Sequence, residues 1–475
     1  PEATLDHVSP AIAIPYGCRD ADGTHRLLPE YSRRIDQLGL RAAYELELAT
    51  YPLLDRIQQI GIKPDLDHFR GLSDLLAYEI GNLQTQLEQQ TGRVGFNANS
   101  GDQVAAYIFG TLNLEELKQT SSGRGSTNDK ILEALEREHP EHPVLSTIRT
   151  YRETYKLKNT FVDRLPDFVH RWPFDGRIHT TLRTTRVVTG RLAASDPNLL
   201  AQPEHGKFAS EFKRGWICEP GHVICQWDES QVELRGLAHL SQDPVLLAVY
   251  RGEARNPDGS LIDLHAKLAQ RIFGGPIEQY MHKCAGRLAA KAINFGIPMG
   301  LTCRGLSVEL RKNGVEADED TAQKWLDETL GLYTGVAAFM ERQKKEARDN
   351  GFIRCMSGRI RYIGGIRSKD DRTREEAERF SFSTPVQESA TLIMKQAEKI
   401  VWEDVLPYFW KRGHYVEPLI QIHDCLKLEA EDGLQDELDV FMREAMTNVP
   451  ISFSVPLDVA GEWGYNMADV VEFAS

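Results

Sequence analysis

Two short stretches of the sequence have the pattern of β-strands, the first that of a buried strand and the second an alternating one, and each is associated with one aspartate. The first stretch is residues 223–227, which lead into Asp228, and the second is residues 420–429, where apolar and polar residues alternate around Asp424. Elsewhere the apolar residues recur mainly at helical spacing. The pattern predicts a mixed α+β fold that is mostly helical, with a small central sheet and the two aspartates at strand ends or turns.

The helical pattern is clearest in the first hundred residues. Two apolar series within residues 41–92 are separated by Gly61 and Pro64, which predicts a long helical hairpin. The polar stretch that follows ends near Ser100, a residue type that commonly caps the start of a helix. We expect further helices over residues 230–240 and through most of residues 276–350.

Length and charge exclude several classes of protein. The 475 residues include 56 basic and 70 acidic side chains, for a net charge of −14. This balance argues against a uniformly basic nucleic-acid binder and against a polybasic membrane surface, and it leaves room for local basic stretches. At roughly 100–200 residues per domain, the length predicts two to four domains.

The cysteine pattern and the lack of a long apolar run predict a soluble protein in a reducing, intracellular compartment. Seven cysteines are present without a C-x-x-C pair, so neither a zinc ribbon nor a disulfide framework is predicted, and a reducing compartment fits best. The sequence contains no run of about 18 apolar residues, so we expect a soluble protein that does not bind membranes.

One helical segment presents two cations and an aromatic ring on a single face. At about 100° per residue, Arg287, Lys291 and Phe295 fall within an arc of roughly 80°. Such a face suits a nucleoside triphosphate, with the cations on the phosphates and the ring against the base or sugar. From spacing alone, a solvated basic stripe beside one core phenylalanine is the more common explanation of such a pattern.

Three motifs, taken in order, resemble those of family A (Pol I-like) DNA polymerases. Residues 286–296, GRLAAKAINFG, match the fingers-helix pattern R-x-x-x-K-x-x-x-F-G of that family. Residues 228–235, DESQVELR, resemble the first palm motif, usually DYSQIELR, and residues 421–424, QIHD, resemble the start of the last palm motif, usually V-H-D-E. The resemblance covers about residues 41–475.

The resemblance implies a right-hand architecture, in which the palm carries a small antiparallel sheet and the fingers and thumb are helical. It divides the chain into a remnant of the end of a 3′–5′ exonuclease-like domain, the thumb, the first part of the palm, the fingers and the second part of the palm. The corresponding ranges are 1–40, 41–175, 176–275, 276–385 and 386–475.

The same resemblance implies template-directed addition of dNTPs to a primer 3′-hydroxyl. Two Mg²⁺ ions, for which Mn²⁺ can substitute, would be held by Asp228, Asp424 and the backbone carbonyl of Glu229. Hard carboxylate oxygens suit Mg²⁺, and metal ions neutralise and align the attacking and leaving oxygens of phosphoryl transfer. Taken singly, an aspartate at a strand end is more often a structural turn residue.

The family pattern also implies the nucleotide contacts. Glu233 would be the steric gate, because a carboxylate packed below the sugar leaves no room for a 2′-hydroxyl. Lys291 would act in catalysis as well as in binding the triphosphate. The full implied set of dNTP-binding residues is Arg287, Lys291, Phe295, His265, Glu233 and Gln231.

The implied DNA contacts fall into two groups. Arg191, Gln387, His423 and Asn198 match positions of the family that contact primer or template, where minor-groove acceptors are common to every correct base pair. Arg359 and Arg361 belong to residues 351–369, a stretch with five basic residues and no acidic ones. Such a stretch can hold a phosphate backbone on an otherwise acidic protein, with a steep dependence on salt; its alternative is a solvated loop.

Several residues depart from the family pattern. Glu229 stands where tyrosine is usual, Cys425 where glutamate follows the last aspartate, and Met299 where the fingers helix usually has tyrosine. Pro298 is expected to kink the end of that helix. A thiol is a soft ligand that does not replace a carboxylate on Mg²⁺.

The first 40 residues contain a segment, 16–24, that resembles the last motif of the family's proofreading exonuclease, Y-x-x-x-D-A-D-x-T. The other exonuclease carboxylates have no counterpart upstream, so we expect no 3′→5′ degradation by this chain. We further expect a monomer that acts on primer-template DNA, either alone or together with replication partners or a separate exonuclease part. A cytoplasmic location in a bacterial or phage-infected cell is expected, and an organelle stays open.

Two alternative functions stay open at this stage. One is a polymerase-like fold that binds primer-template DNA as an accessory module with weak or no catalysis, which Cys425 and Met299 favour. The other is a single-subunit RNA polymerase, which Glu233 disfavours.

Overall fold

A computed structural model of the chain describes most of its residues, and the account below concerns these alone. The described ranges are 8–117, 119–120, 123–172, 174–203, 206–255, 259, 262–282, 284–297, 299–312 and 315–473.

Helices form most of the described structure. In chain order the α-helices are α1 (Pro10–Gln37), α2 (Arg41–Ile60), α3 (Leu66–Thr91), α4 (Gly101–Ile108), α5 (Asp129–Glu138), α6 (Val144–Lys156), α7 (Leu165–Arg171), α8 (Ala209–Arg214), α9 (Val232–Ser241), α10 (Pro244–Tyr250), α11 (Leu264–Phe273), α12 (Ala285–Gly296), α13 (Cys303–Lys312), α14 (Glu319–Leu332), α15 (Thr334–Asn350), α16 (Asp371–Ile400), α17 (Leu406–Lys411) and α18 (Gln435–Thr447). One π-helical turn, Leu157–Phe161, follows α6, and another, Val401–Val405, joins α16 to α17.

The strands are short and antiparallel. They are β1 (Lys63–Pro64), β2 (Thr181–Arg183), β3 (Ala193–Ser195), β4 (Trp216–Ile217), β5 (His222–Glu229), β6 (Phe352–Arg354), β7 (Ile360–Tyr362), β8 (Val416–Ile422), β9 (Cys425–Glu431), β10 (Val459–Gly464) and β11 (Val470–Glu472). A five-stranded sheet has the order β11-β10-β5-β9-β8, and β1–β4, β2–β3 and β6–β7 form three two-stranded ribbons.

The central sheet is covered on one face and partly open on the other. Alternate residues of β5, namely Val223, Cys225 and Trp227, are fully buried in the largest hydrophobic cluster, together with residues of α16 and α18. Because side chains alternate across a strand, Gln226 and Asp228 point to the opposite face. The side chain of Asp228 is exposed there.

Both predicted strand regions exist, but their boundaries differ in an informative way. Strand β5 continues through Asp228 to Glu229, and Gln231 has a left-handed φ of 53°, so α9 begins only at Val232. The second region is not one strand but two, β8 and β9, which a tight turn at His423 and Asp424 joins into a hairpin.

The predicted helical hairpin of residues 41–92 is wrong. Both helices form, but α2 packs against α16 and β8, whereas α3 packs against α6. The connecting residues explain the divergence, because Gly61 has φ 65° and the next residues, Lys63 and Pro64, pair with β4. The predicted cap at Ser100 is confirmed, since its side chain accepts a hydrogen bond from the backbone N–H of Gln103 at 3.3 Å.

Helix α1 lies on the surface along its whole length and contains no buried residue. Arg41, at the start of α2, binds the C-terminal half of α1. Its guanidinium donates to the Asp36 carboxylate at 2.8 Å and to the Ser32 hydroxyl at 2.7 Å. Within the described ranges, no helix is both long enough and apolar enough to cross a bilayer.

Helix α15 approaches the start of α10 so closely that only glycine fits at one position. The backbone N–H of Gly335 donates to the Asp243 carboxylate at 2.8 Å, and a Cβ placed on Gly335 would lie 2.5 Å from the Cα of Asp243. Since the obstructing atom belongs to the backbone, no rotation of a side chain can relieve the contact.

We therefore expect Gly335→Ala to lower the free energy of unfolding by about 1–3 kcal/mol in urea denaturation. The matched control is Gly81→Ala, also within a helix but with no atom within 4 Å of the added Cβ. It should raise the free energy of unfolding by about 0.5–1 kcal/mol through helix propensity. Equal effects of the two substitutions would contradict the packing argument.

Candidate active site

The β8–β9 hairpin and strand β5 bring the two predicted aspartates to one end of the central sheet. Asp228 stands opposite Cys425 in the β5–β9 register, and the backbone N–H of Glu229 donates to the carbonyl oxygen of Asp424 at 3.0 Å. His423 occupies the turn with φ 55°, which lets the chain reverse just before Asp424. Two carboxylates from segments 196 positions apart in sequence thus sit on neighbouring strands.

A cavity of about 440 Å³ opens beside these carboxylates on the uncovered face of the sheet. Asp228, Asp424 and His423 in its wall were predicted as site residues from the sequence, and four further lining residues belong to the two predicted strand regions. The remaining lining residues were not predicted, because they come from segments with little local signal. The lining consists of Gln202, Lys213, Gln226, Asp228, Ile422, His423, Asp424, Cys425, Lys427, Ala460, Glu462 and Met467.

The donor set fits a hard divalent cation. Asp228 and Asp424 offer carboxylate oxygens, which Mg²⁺ prefers, and an ion of this kind normally keeps several waters besides one or two protein carboxylates. Burial raises the pKa of the Cys425 thiol to about 11, so this side chain stays protonated and neutral. Among the described residues, no three His, Cys, Asp or Glu side chains converge as a preformed metal site.

Glu233, the predicted steric gate, lies next to this site on α9. Arg191 donates to its carboxylate at 2.6 Å. Burial raises the pKa of Glu233, the Asp424 charge raises it further, and the Arg191 and His423 charges oppose both effects. Arg191, His423 and Asp424 also line one narrow crevice, so the structure brings four predicted site residues together.

A second group of predicted residues meets on α11 and α12. Lys291 is exposed, with its Nζ 5.7 Å from the centre of the Phe295 ring, and the His265 and Phe295 rings are also 5.7 Å apart. Arg287 pairs with Asp263, whose carboxylate caps α11 by accepting from the backbone N–H groups of its first turn. The helical face expected from spacing therefore exists and carries two cations.

The hydrogen bonds of His265 fix its tautomer. Tyr333 donates to Oδ1 of Asn294 at 3.0 Å, and Nδ2 of Asn294 donates to Nδ1 of His265 at 3.0 Å. Burial lowers the pKa of His265 to about 4, helped by the Arg287 and Lys291 charges and opposed by Asp263. The ring is therefore neutral at pH 7, with its proton on Nε2.

Other predicted residues occupy the junctions between elements. Gln387 on α16 donates to the sulfur of Met299, just beyond α12, at 2.8 Å, and Gln231 accepts from the Tyr250 hydroxyl at 2.9 Å. The Asn198 side chain accepts from the N–H of Leu200 at 3.2 Å and so caps a short 3₁₀ turn. Pro298, predicted to kink the helix end, lies outside the described residues.

The basic stretch predicted to follow DNA is largely engaged within the protein. Arg359 pairs with Glu47 of α2 and lies against Gly190, and Arg361 donates to the Thr384 hydroxyl while its guanidinium stacks 4.4 Å from the centre of the Phe380 ring. In addition, Arg354 and Arg367 donate to backbone carbonyl groups. Four of the five basic residues of the stretch thus have partners within the protein, and its role in holding DNA stays a prediction.

Three carboxylates lie behind the site, and only one of them, Glu229, was singled out from the sequence. Glu47 accepts from both Arg359 and Lys395, which joins α2 to α16. Glu229 and Glu398 are buried, and no described residue bonds to the carboxyl oxygens of either. Burial raises the pKa of Glu229 well above its ordinary value, and the charges of Asp424, Asp228 and Glu398 act in the same direction.

Comparisons with known proteins agree with this arrangement. The family model for DNA polymerase family A matches residues 66–469. DNA polymerase I of Pseudomonas aeruginosa is 32% identical over 470 residues, which cover 98% of this chain and 48% of that protein. The thermostable DNA polymerase I of Thermus aquaticus is 35% identical over 416 residues, 87% of this chain and 47% of that protein. The chain spans about half the length of these curated relatives.

A solved structure gives the same result for the fold. It is described as the POL domain of Pol1 from M. smegmatis in complex with DNA primer-template and dNTP. It aligns with a TM-score of 0.77 and 29% sequence identity, over 89% of this chain and 70% of that one. The prediction of a mostly helical α+β fold with right-hand polymerase architecture is thereby confirmed.

Glu398 yields a test of the buried carboxylates by pH. Burial raises its pKa to about 8, opposed by Lys395 and supported by Glu47. Between its ordinary value of 4.5 and about 8, the unfolded carboxyl releases a proton that the folded one keeps, so the group destabilises the fold progressively as pH rises.

We expect Glu398→Gln to match the parent near pH 4.5 and to be more stable by about 3–5 kcal/mol at pH 8, as measured by urea denaturation across this range. Glu376→Gln, an exposed change on the same helix, serves as control and should leave the pH profile of the parent intact. A constant difference between Glu398→Gln and the parent at every pH would show that Glu398 does not titrate as described.

Proposed function

The chain belongs to DNA polymerase family A, and from that premise we propose that it extends a DNA primer by template-directed addition of dNTPs. One observation carries the proposal: Asp228 and Asp424 meet at one end of the central sheet, beside Glu233. The basic face of α12 supplies the positive charge that a triphosphate needs. The solved M. smegmatis structure, described as a complex with primer-template DNA and dNTP, supports both partners.

In this proposal, Asp228, Asp424 and the backbone carbonyl of Glu229 would hold two Mg²⁺ ions, or Mn²⁺ in their place. The bound ions would neutralise the charge on the attacking and leaving oxygens of phosphoryl transfer. Asp228 is exposed on the open face of the sheet and can reach a ligand there, whereas the Glu229 side chain points into the core. Its alternation along β5 leaves only its backbone for the site.

The triphosphate would lie on α11 and α12. Lys291 and Arg287 would pair with phosphate oxygens. Lys291 would also stabilise the negative charge that develops on the phosphate oxygens during transfer. His265, neutral and with its proton on Nε2, would donate one hydrogen bond without adding charge. Phe295 would stack against the sugar and base, and Gln231 would line the pocket near the steric gate.

The proposal divides the chain as the sequence motifs did, into thumb (41–175), palm (176–275 and 386–475) and fingers (276–385). Arg191, Gln387, His423 and Asn198 would contact primer and template. Arg359 and Arg361 would contribute only after exchanging their present partners, Glu47 and Thr384, for phosphate oxygens. We include in the proposal that residues 1–40, within which the exposed helix α1 spans Pro10–Gln37, do not proofread.

Cys425 favours a second candidate function, that of an accessory module that binds primer-template DNA without extending it. Its neutral thiol stands beside Asp228, where a further carboxylate would strengthen metal binding. Primer extension separates the two functions directly, because both candidates bind DNA and only the polymerase lengthens it.

We expect Asp228→Asn and Asp424→Asn each to reduce primer extension with Mg²⁺ and dNTPs by about 10²-fold or more, because an amide cannot supply the anionic oxygen that the metal needs. Asp404→Asn, the same change on the exposed turn after α16, should extend primers at the parental rate. If the parent extends primers no faster than either site variant, the accessory-module function is correct.

Glu233 provides a separate test of sugar selection. Glu233→Ala should raise the ratio of NTP to dNTP incorporation by about 10-fold or more, because the removed carboxylate opens space for a 2′-hydroxyl. Glu233→Gln keeps the side-chain volume while removing its charge and should largely keep the selection for dNTPs. If the parent already uses NTPs as well as dNTPs, Glu233 is not a steric gate.

A further inference from the structure

A row of three polar side chains crosses the open face of the sheet beside the two aspartates. Lys427 on β9, Gln226 on β5 and Glu462 on β10 stand opposite one another in the strand registers. Nζ of Lys427 donates to Oε1 of Gln226, and Nε2 of Gln226 donates to Oε2 of Glu462 at 2.7 Å. The ammonium group thereby fixes the orientation of the amide, which holds one oxygen of the carboxylate.

This row lies next to the row that contains Asp228. Asp228 stands between Cys425 on β9 and Ala460 on β10, and Glu462 follows Ala460 by two residues. Residues two apart on a strand share a face, so Glu462 is the diagonal neighbour of Asp228. Diagonal positions on neighbouring antiparallel strands typically lie about 7–8 Å apart. Both residues line the same cavity.

The row that contains Asp228 offers few oxygen atoms that could bind a metal ion. Ala460 has none, and Cys425 offers a thiol, a soft ligand that does not suit Mg²⁺. The polymerase motif that this hairpin resembles ends in glutamate at the position of Cys425. Along β10, the next side chain on this face is the carboxylate of Glu462.

We propose that Glu462 is a positioning residue for the metal site, which holds metal-bound water from β10 and supplies the negative charge that Cys425 does not supply from β9. The inference rests on the proposed function, since it concerns the metal ions that Asp228 and Asp424 would hold.

The separation from Asp228 favours contact through water over direct ligation of the same ion. Mg²⁺ retains several waters when one or two carboxylates bind it, and these waters need acceptors. Gln226 engages Oε2 of Glu462, and no described residue donates to Oε1, which can accept from such a water. Outer-shell partners of this kind typically contribute about 10–100-fold to metal affinity.

The test measures Mn²⁺ binding by electron paramagnetic resonance on the full chain, without DNA or dNTP, so that it does not depend on turnover. Glu462→Gln should weaken Mn²⁺ binding by about 10-fold and raise the Mg²⁺ concentration for half-maximal primer extension in parallel. Glu472→Gln is the matched control, because Glu472 stands opposite Glu462 on β11 but outside the cavity wall. Its Mn²⁺ binding should stay within about two-fold of the parent.

A second variant tests compensation. Adding Cys425→Glu to Glu462→Gln places a carboxylate on the other side of Asp228 and should recover most of the lost Mn²⁺ affinity. Parental affinity in Glu462→Gln overturns the inference, as does an equal loss in Glu472→Gln. If Asp228→Asn abolishes Mn²⁺ binding while Glu462→Gln leaves it unchanged, the inference fails and the proposed function stands. If the parent neither binds Mn²⁺ nor extends primers, both fail.

Discussion

Strand β5 pairs with strand β9 in a register that decides where Asp228 and Asp424 stand. Asp228 faces Cys425, and the N–H of the next residue bonds to the carbonyl of Asp424, so the hairpin turn and the strand end are tied directly together. A slip by one residue would turn Asp228 into the core and bring Glu229 to the open face. The buried side chains of Val223, Cys225 and Trp227 prevent that slip, because they can be covered only in the present register.

A partly buried group of charges connects two of the helices that pack around this sheet, α2 and α16. Glu47 of α2 accepts from Lys395 of α16 and from Arg359 next to strand β7. Lys395 is buried, so the loss of Glu47 would leave its ammonium charge without compensation. The same contact keeps Arg359 against Gly190, one residue from Arg191, which holds Glu233. A chain of contacts through Arg359, Gly190 and Arg191 therefore links α2 to Glu233, the candidate sugar gate.

The sequence predicts what depends on local pattern and misses what depends on long-range pairing. A buried-strand pattern and an alternating pattern indicated the two sheet regions and both aspartates, and the 3.6-residue period indicated the cationic face of α12, since each signal lies within a dozen residues. The partners of α2 and α3 were not predictable, because Gly61 and the β1–β4 pairing redirect the chain after α2 ends. Glu462 was missed for a similar reason: glycines at 461 and 464 weaken the strand pattern of β10, and only its register with β5 places it near Asp228.

The departures from the family motifs at 229 and 425 have different consequences because the two residues point in different directions. Glu229 follows Asp228 on β5, so its side chain enters the core, away from the open face of the sheet, and burial raises its pKa well above the ordinary value. Cys425 lies on the open face itself, opposite Asp228, where a carboxylate is missing. A substitution at 229 therefore alters the packing beneath the site, whereas one at 425 alters its charge. Glu462 reaches that same face from the opposite side of β5, so the charge of the face depends on three strands and not on the hairpin alone.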